Sequence, residues 1–112
     1  MKLSQEVLES GVVKVALEGD LDIMGSSQID LPFKGYPEQT KKLFVDITGV
    51  QFLASISIRV LVKTAKAIGN NGGRMAVYGA QEAPAKVLMS TGVDRIIALC
   101  DDEASALAQV TR

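Results

Sequence analysis

Short apolar runs alternate along this chain with segments of helical periodicity, and that alternation constrains its fold more than any other feature. Leu43-Phe44-Val45-Asp46-Ile47 and Met75-Ala76-Val77-Tyr78 are short, mainly apolar and bounded by turn residues, as strands covered on both faces are. Between them Ile58, Leu61, Val62, Ala65 and Ile68 recur at the spacing of one buried helix face, and Gly69-Asn70-Asn71-Gly72-Gly73 ends the pattern. Strands separated by helices cannot form hairpins, so the sheet is expected to be largely parallel with crossover helices.

The remaining segments extend the pattern. Val12 to Glu18 alternates, with Val13, Val15 and Leu17 on one face, and residues 3 to 8 can pair with it across the Glu9-Ser10-Gly11 turn. Ile96-Ile97-Ala98-Leu99 is expected to be a further strand. A helix is predicted from Glu82 to Ser90, with Pro84 in its first turn and Gly92 beyond its end. Asp101-Asp102-Glu103 puts negative charge at the start of a last helix carrying Ala104, Leu107, Ala108 and Val110. From Met24 to Lys42 the prolines at 32 and 37 and Gly35 allow only a short helix, Gly25 to Leu31, followed by a loop. Met75 and Met89 are core candidates, and Cys100 is a small apolar residue near a strand end. The expected architecture is a single α/β domain over residues 1–112, a mixed sheet of four or five strands with about four helices.

Composition removes most chemistries. With no His and one Cys in 112 residues, the chain cannot build a Cys/His zinc site, a Ser/His/Asp triad or a dithiol pair from its own residues. No cofactor and no metal site is expected. Asp20 and Asp22 flank a single Leu and read as loop or cap residues rather than a metal pair. Gly69 to Gly73 lacks a following Lys-Ser/Thr and precedes a strand, so it reads as a turn and not a phosphate cradle. Twelve basic against thirteen acidic side chains, with three Phe and two Tyr, supply neither the field nor the stacking platforms for direct nucleic-acid binding. MKLSQEVLES is polar and acidic where a secretory signal needs a basic flank and an apolar core. No apolar run approaches the roughly 20 residues of a membrane span. A cytoplasmic location without membrane attachment is expected, consistent with a lone cysteine in a reducing compartment.

The segment from Val45 to Leu61 carries a buried strand into a tight loop and presents Ser55 at the start of a helix. Two readings of Ser55 stand: a helix N-cap, or a regulatory phosphorylation site whose phosphate would meet free N–H groups and the positive end of the helix dipole. No acidic residue occurs between Asp46 and Glu82, whereas Arg59, Lys63, Lys66 and Arg74 all lie there. At about 100° per residue, Arg59, Lys63 and Lys66 fall on one stripe well away from the apolar face. That stripe is either a solvated helix face or a docking surface for an acidic partner.

Gly19-Asp20-Leu21-Asp22, Val45-Asp46-Ile47, Phe52-Leu53-Ala54-Ser55-Ile56-Ser57-Ile58, Gly72-Gly73-Arg74-Met75-Ala76-Val77 and Leu88-Met89-Ser90-Thr91-Gly92-Val93 resemble, in this order and spacing, a STAS domain of the bacterial anti-sigma factor antagonist type. The resemblance implies a switch protein without catalysis of its own. An unphosphorylated antagonist of that family binds an anti-sigma factor that is also a serine kinase; phosphorylation ends the binding, and a serine phosphatase restores it. The family's acceptor matches Ser55, with Ser57 as a lesser candidate, and Asp22 matches an acidic position beside the loop. Ala54, Ile56, Ser57 and Arg59 stand where the family commonly has Asp, a second hydroxyl residue, Gly and Gly. The expected partner surface comprises Asp22, Ala54, Ser55, Ile56, Ser57, Arg59, Lys63 and Lys66. The competing reading is a STAS scaffold subunit of a larger assembly, such as a transport complex, in which Ser55 is structural.

Overall fold

The computed structural model describes residues 1–111. Its strands are β1 (Lys2–Val7), β2 (Val13–Glu18), β3 (Lys42–Gly49), β4 (Arg74–Tyr78) and β5 (Ala98–Cys100). The helices are α1 (Ile23–Gln39), α2 (Ser55–Asn70), α3 (Glu82–Ser90) and α4 (Glu103–Val110), with 3-10 turns at Glu9–Gly11 and Val93–Arg95. One sheet runs β1-β2-β3-β4-β5. β1 pairs antiparallel with β2 through the Glu9–Gly11 turn, and every other neighbour pair is parallel. The mixed α/β architecture expected from the alternation is present.

Alternating side chains of the central strands feed two cores. Val13, Val15, Leu17, Leu43, Val45, Ile47, Met75 and Val77 point to the face covered by α1, α2 and α3. Phe44, Ala76 and Tyr78 point the other way and meet Ala106 and Val110 of α4. Two covered faces explain why β3 and β4 are almost continuously apolar.

Three sequence expectations need correction. The short helix Gly25 to Leu31 is instead the 17-residue α1, with Pro32 and Pro37 inside it. A proline cannot donate to the carbonyl four residues back, so Gln28 and Phe33 lose their ordinary helical partners. Gln28 is exposed to water, and the Phe33 carbonyl accepts the Thr64 hydroxyl of α2 at 3.2 Å. Ile29, Phe33 and Tyr36, fully buried on one helical face, supply the packing that outweighs the poor local propensity. The last strand begins at Ala98 rather than Ile96, because Ile96 and Ile97 donate back to the Val93 carbonyl and stay in the preceding turn. Met89 is 58% exposed: α3 buries Pro84 and Leu88, and the next residue is turned about 100° from that line. Met75 is in the core as expected.

Candidate functional site

The carboxyl end of β3 leads into residues 50–54, and this loop is fastened to the segment before α1. Leu21 N–H donates to the Phe52 carbonyl at 2.9 Å and Ala54 N–H to the Leu21 carbonyl at 2.8 Å. The two buried leucines, Leu21 and Leu53, form an isolated parallel bridge. This short pairing sets the N-termini of α1 and α2 side by side at one end of the sheet.

Asp22 is the N-cap of α1, its Oδ1 accepting the Gly25 N–H at 2.8 Å. Its carbonyl accepts both Ser26 N–H and Ser26 Oγ–H. A Cβ at Gly25 would lie 2.3 Å from the Asp20 carbonyl oxygen, so this tight entry into the helix needs glycine. Asp22 thus serves as the cap, and no cluster of three metal-ligating side chains exists among the described residues.

Ser55 is not the N-cap of α2. That position is Ala54, with extended φ −80° and ψ 155° and no side-chain acceptor for the first turn. Ser55 is the first helical residue and is exposed, so its hydroxyl faces solvent at the mouth of the loop. Ser57 points inward: it is fully buried, and its Oγ donates to the Ala54 carbonyl at 2.6 Å. Ser57 is therefore neither an accessible acceptor nor a surface contact in this structure, a correction that follows from its position two residues after Ser55 on the core side of the helix.

The other expected contact residues divide. Ile56 is 43% exposed, Ala54 is half-buried, and Arg59, Lys63 and Lys66 are exposed. None of the three cations is in an ion pair among the described residues. Arg59, Lys63 and Ile56 join Ile23, Ser26 and Asp30 in lining a groove of about 290 Å³ between α1 and α2. Lys66 lies one turn farther and does not line it. Asp30 is held by Lys34 on its own helix at 3.1 Å.

Sequence reasoning missed the apolar part of this surface. Ile23 and Met24 are each 74% exposed and Phe52 is 51% exposed, all on the two segments joined by the Leu21–Leu53 bridge. Their signal was the apolar pair directly after the Asp22 cap, which becomes visible once α1 is known to begin at Ile23.

On the opposite face of the sheet, Glu103 of α4 pairs with Lys14 and accepts the Tyr78 hydroxyl at 3.1 Å. The hydrogen bond with Lys14 holds the Glu103 carboxyl below its usual range, and the same bond raises Lys14. Burial, together with the Asp46 and Glu103 carboxylates, pushes the Tyr78 phenol up. This cluster fastens α4 and lies apart from Ser55.

The STAS domain family model matches residues 6–106. The chain belongs to the STAS domain family. A Thermotoga maritima relative provisionally named as an anti-sigma factor antagonist is 33% identical over 79 residues, covering 70% of this chain and 66% of the relative. The anti-sigma F factor antagonist of Paenibacillus polymyxa is 26% identical over 102 residues, 89% of this chain and 87% of that protein. A T. maritima crystal structure described in the same terms superposes with a TM-score of 0.88 at 25% identity, covering 98% of this chain and 95% of that one. No helix among the described residues is long and apolar enough to cross a membrane.

Proposed function

We propose that this STAS domain is an anti-sigma factor antagonist working as a phosphorylation-controlled binding switch. In its unphosphorylated form it engages an anti-sigma factor with serine-kinase activity; that kinase modifies Ser55, the complex separates, and a serine phosphatase resets it. The chain itself contributes a surface and an acceptor hydroxyl, and no catalysis. The observation that carries this reading is the placement of Ser55: exposed, at the first turn of a helix without a side-chain cap, and next in sequence to Ile56, which with Ile23, Arg59 and Lys63 lines the α1–α2 groove. A surface that mixes exposed apolar and basic side chains has the composition of a reversible protein interface. A phosphate of about −1.5 to −2 charges on Ser55 beside it would have to be desolvated on binding.

The test is phosphopeptide mapping after incubation with the cognate kinase and ATP. One phosphate at Ser55 is expected, and none at the buried Ser57. No modification by a demonstrably active cognate kinase would replace the switch with the constitutive scaffold reading.

A further inference from the structure

Arg59 is a cation without an assigned counter-charge. It lies four residues after Ser55 on α2 and is exposed. It makes no ion pair among the described residues, and it lines the α1–α2 groove beside Ile56 and Lys63. Residues at i and i+4 are neighbours on a helix surface, and an anion N-terminal to a cation is the favourable order. The guanidinium is planar, permanently charged and shaped to meet two phosphate oxygens at once.

We propose that Arg59 is the internal counter-ion of phosphorylated Ser55, and that modification acts by turning this guanidinium from the partner toward the phosphate. The inference rests on Ser55 being the acceptor as set out above. In the modifying step the Ser55 Oγ bonds to the γ-phosphorus of ATP, the bond from that phosphorus to the β,γ-bridging oxygen breaks, ADP leaves, and the hydroxyl proton passes to a base on the kinase. The groove's charged lining consists of Asp30, Arg59 and Lys63, a net positive set that suits an acidic partner. Adding about −1.5 to −2 charges one turn from Arg59 neutralises that cation and offsets the positive charge of the groove. The partner then loses a bidentate donor and the attraction of the surface. Charge compensation at the groove and removal of a docking contact are therefore one event.

The experiment needs neither kinase nor partner. The full chain is produced with phosphoserine genetically encoded at position 55, and its phosphate is titrated by phosphorus-31 NMR. The second ionisation is expected below its ordinary value of about 6, because Arg59 favours the dianion. Arg59→Gln, a surface change checked by thermal melting, should raise that midpoint by about 0.5 unit or more, a threefold change in proton affinity. Lys63→Gln, one turn farther from the phosphate, should move it much less. Coincident titrations of the parent and Arg59→Gln phosphoproteins, or equal shifts from Arg59→Gln and Lys63→Gln, would overturn the counter-ion. A kinase that ignores Ser55 would overturn the switch while leaving the titration difference intact, so the two failures are distinguishable.

Discussion

At residue scale the decisive detail is a one-position offset. Strand, loop and helix around Ser55 were legible from the pattern Val45 to Leu61, but the first residue of a helix is not fixed by periodicity. The structure moves the cap to Ala54 and changes what substitutions should do. Ala54→Asp places an acceptor where the first-turn N–H groups need one, so it should raise stability by about 1 kcal/mol, or about 3–5 °C in Tm by calorimetry. Ser55→Ala removes no cap and should leave Tm nearly unchanged. Under kinase and ATP, Ser55→Ala should bind the partner constitutively. Ser55→Asp should bind it about tenfold more weakly than Ser55→Ala, a gap of about 1.4 kcal/mol by titration calorimetry. Equal affinities for the two variants would return Ser55 to a structural role. Ser57 illustrates a different point: a hydroxyl on the apolar side of a helix can be satisfied by its own backbone, as Oγ is by the Ala54 carbonyl, and its spacing from Leu61 and Ile68 places it on that side.

At element scale α1 shows where local propensity fails. Pro32 and Pro37 argue against a helix when read alone, yet α1 continues to Gln39 because Ile29, Phe33 and Tyr36 bury completely and the freed Phe33 carbonyl finds Thr64. Thr64 sits 31 residues away on another helix, a tertiary partner that no window over residues 24 to 42 contains. Thr64→Val keeps the shape and deletes the donor, leaving a buried carbonyl unpaired. It should cost about 1–3 kcal/mol in denaturant unfolding, whereas Thr64→Ser should recover most of that loss. If Thr64→Val unfolds like the parent chain, the α1–α2 stitch is not what accommodates Pro37. Starting the helix at Gly25 rather than Ile23 hid the exposed Ile23 and Met24, since residues outside a helix have no helical face to share with Ile56.

At the scale of the whole molecule, the α/β class with a mixed, largely parallel sheet was the most legible feature. From β2 onward, parallel strands in sequential order, joined by crossovers of one hand, place α1, α2 and α3 on one face. α4 covers the other face, where Ala106 and Val110 meet Phe44, Ala76 and Tyr78, and no sequence period says which face it takes. Its attachment includes the Lys14–Glu103 pair. Because Glu103 titrates below its ordinary 4.5 in the folded chain, the pair contributes stability above that pH and loses it as pH falls through the folded value. Glu103→Gln should therefore flatten part of the acid limb of a stability–pH curve below pH 4.5, an effect kept small by exposure.

The α1–α2 face carries the complementary asymmetry. No acid lies between Asp46 and Glu82, so the charge of α2 is uncompensated along its own length. The stripe of Arg59, Lys63 and Lys66 was legible as one surface, but only the first two line the groove. A partner seated there should feel Lys63 through direct contact and Lys66 through the screened field, whose reach at physiological salt is about 8 Å. Lys63→Glu should accordingly weaken binding more than Lys66→Glu, and both together should flatten the dependence of affinity on salt while leaving Tm unchanged, because both side chains are exposed. Affinities measured across a sodium chloride series for each single variant and the double variant decide the point. Identical losses from the two single variants would mean that the cations act only as a diffuse field, and unchanged affinity in the double variant would make the stripe a solvated helix face.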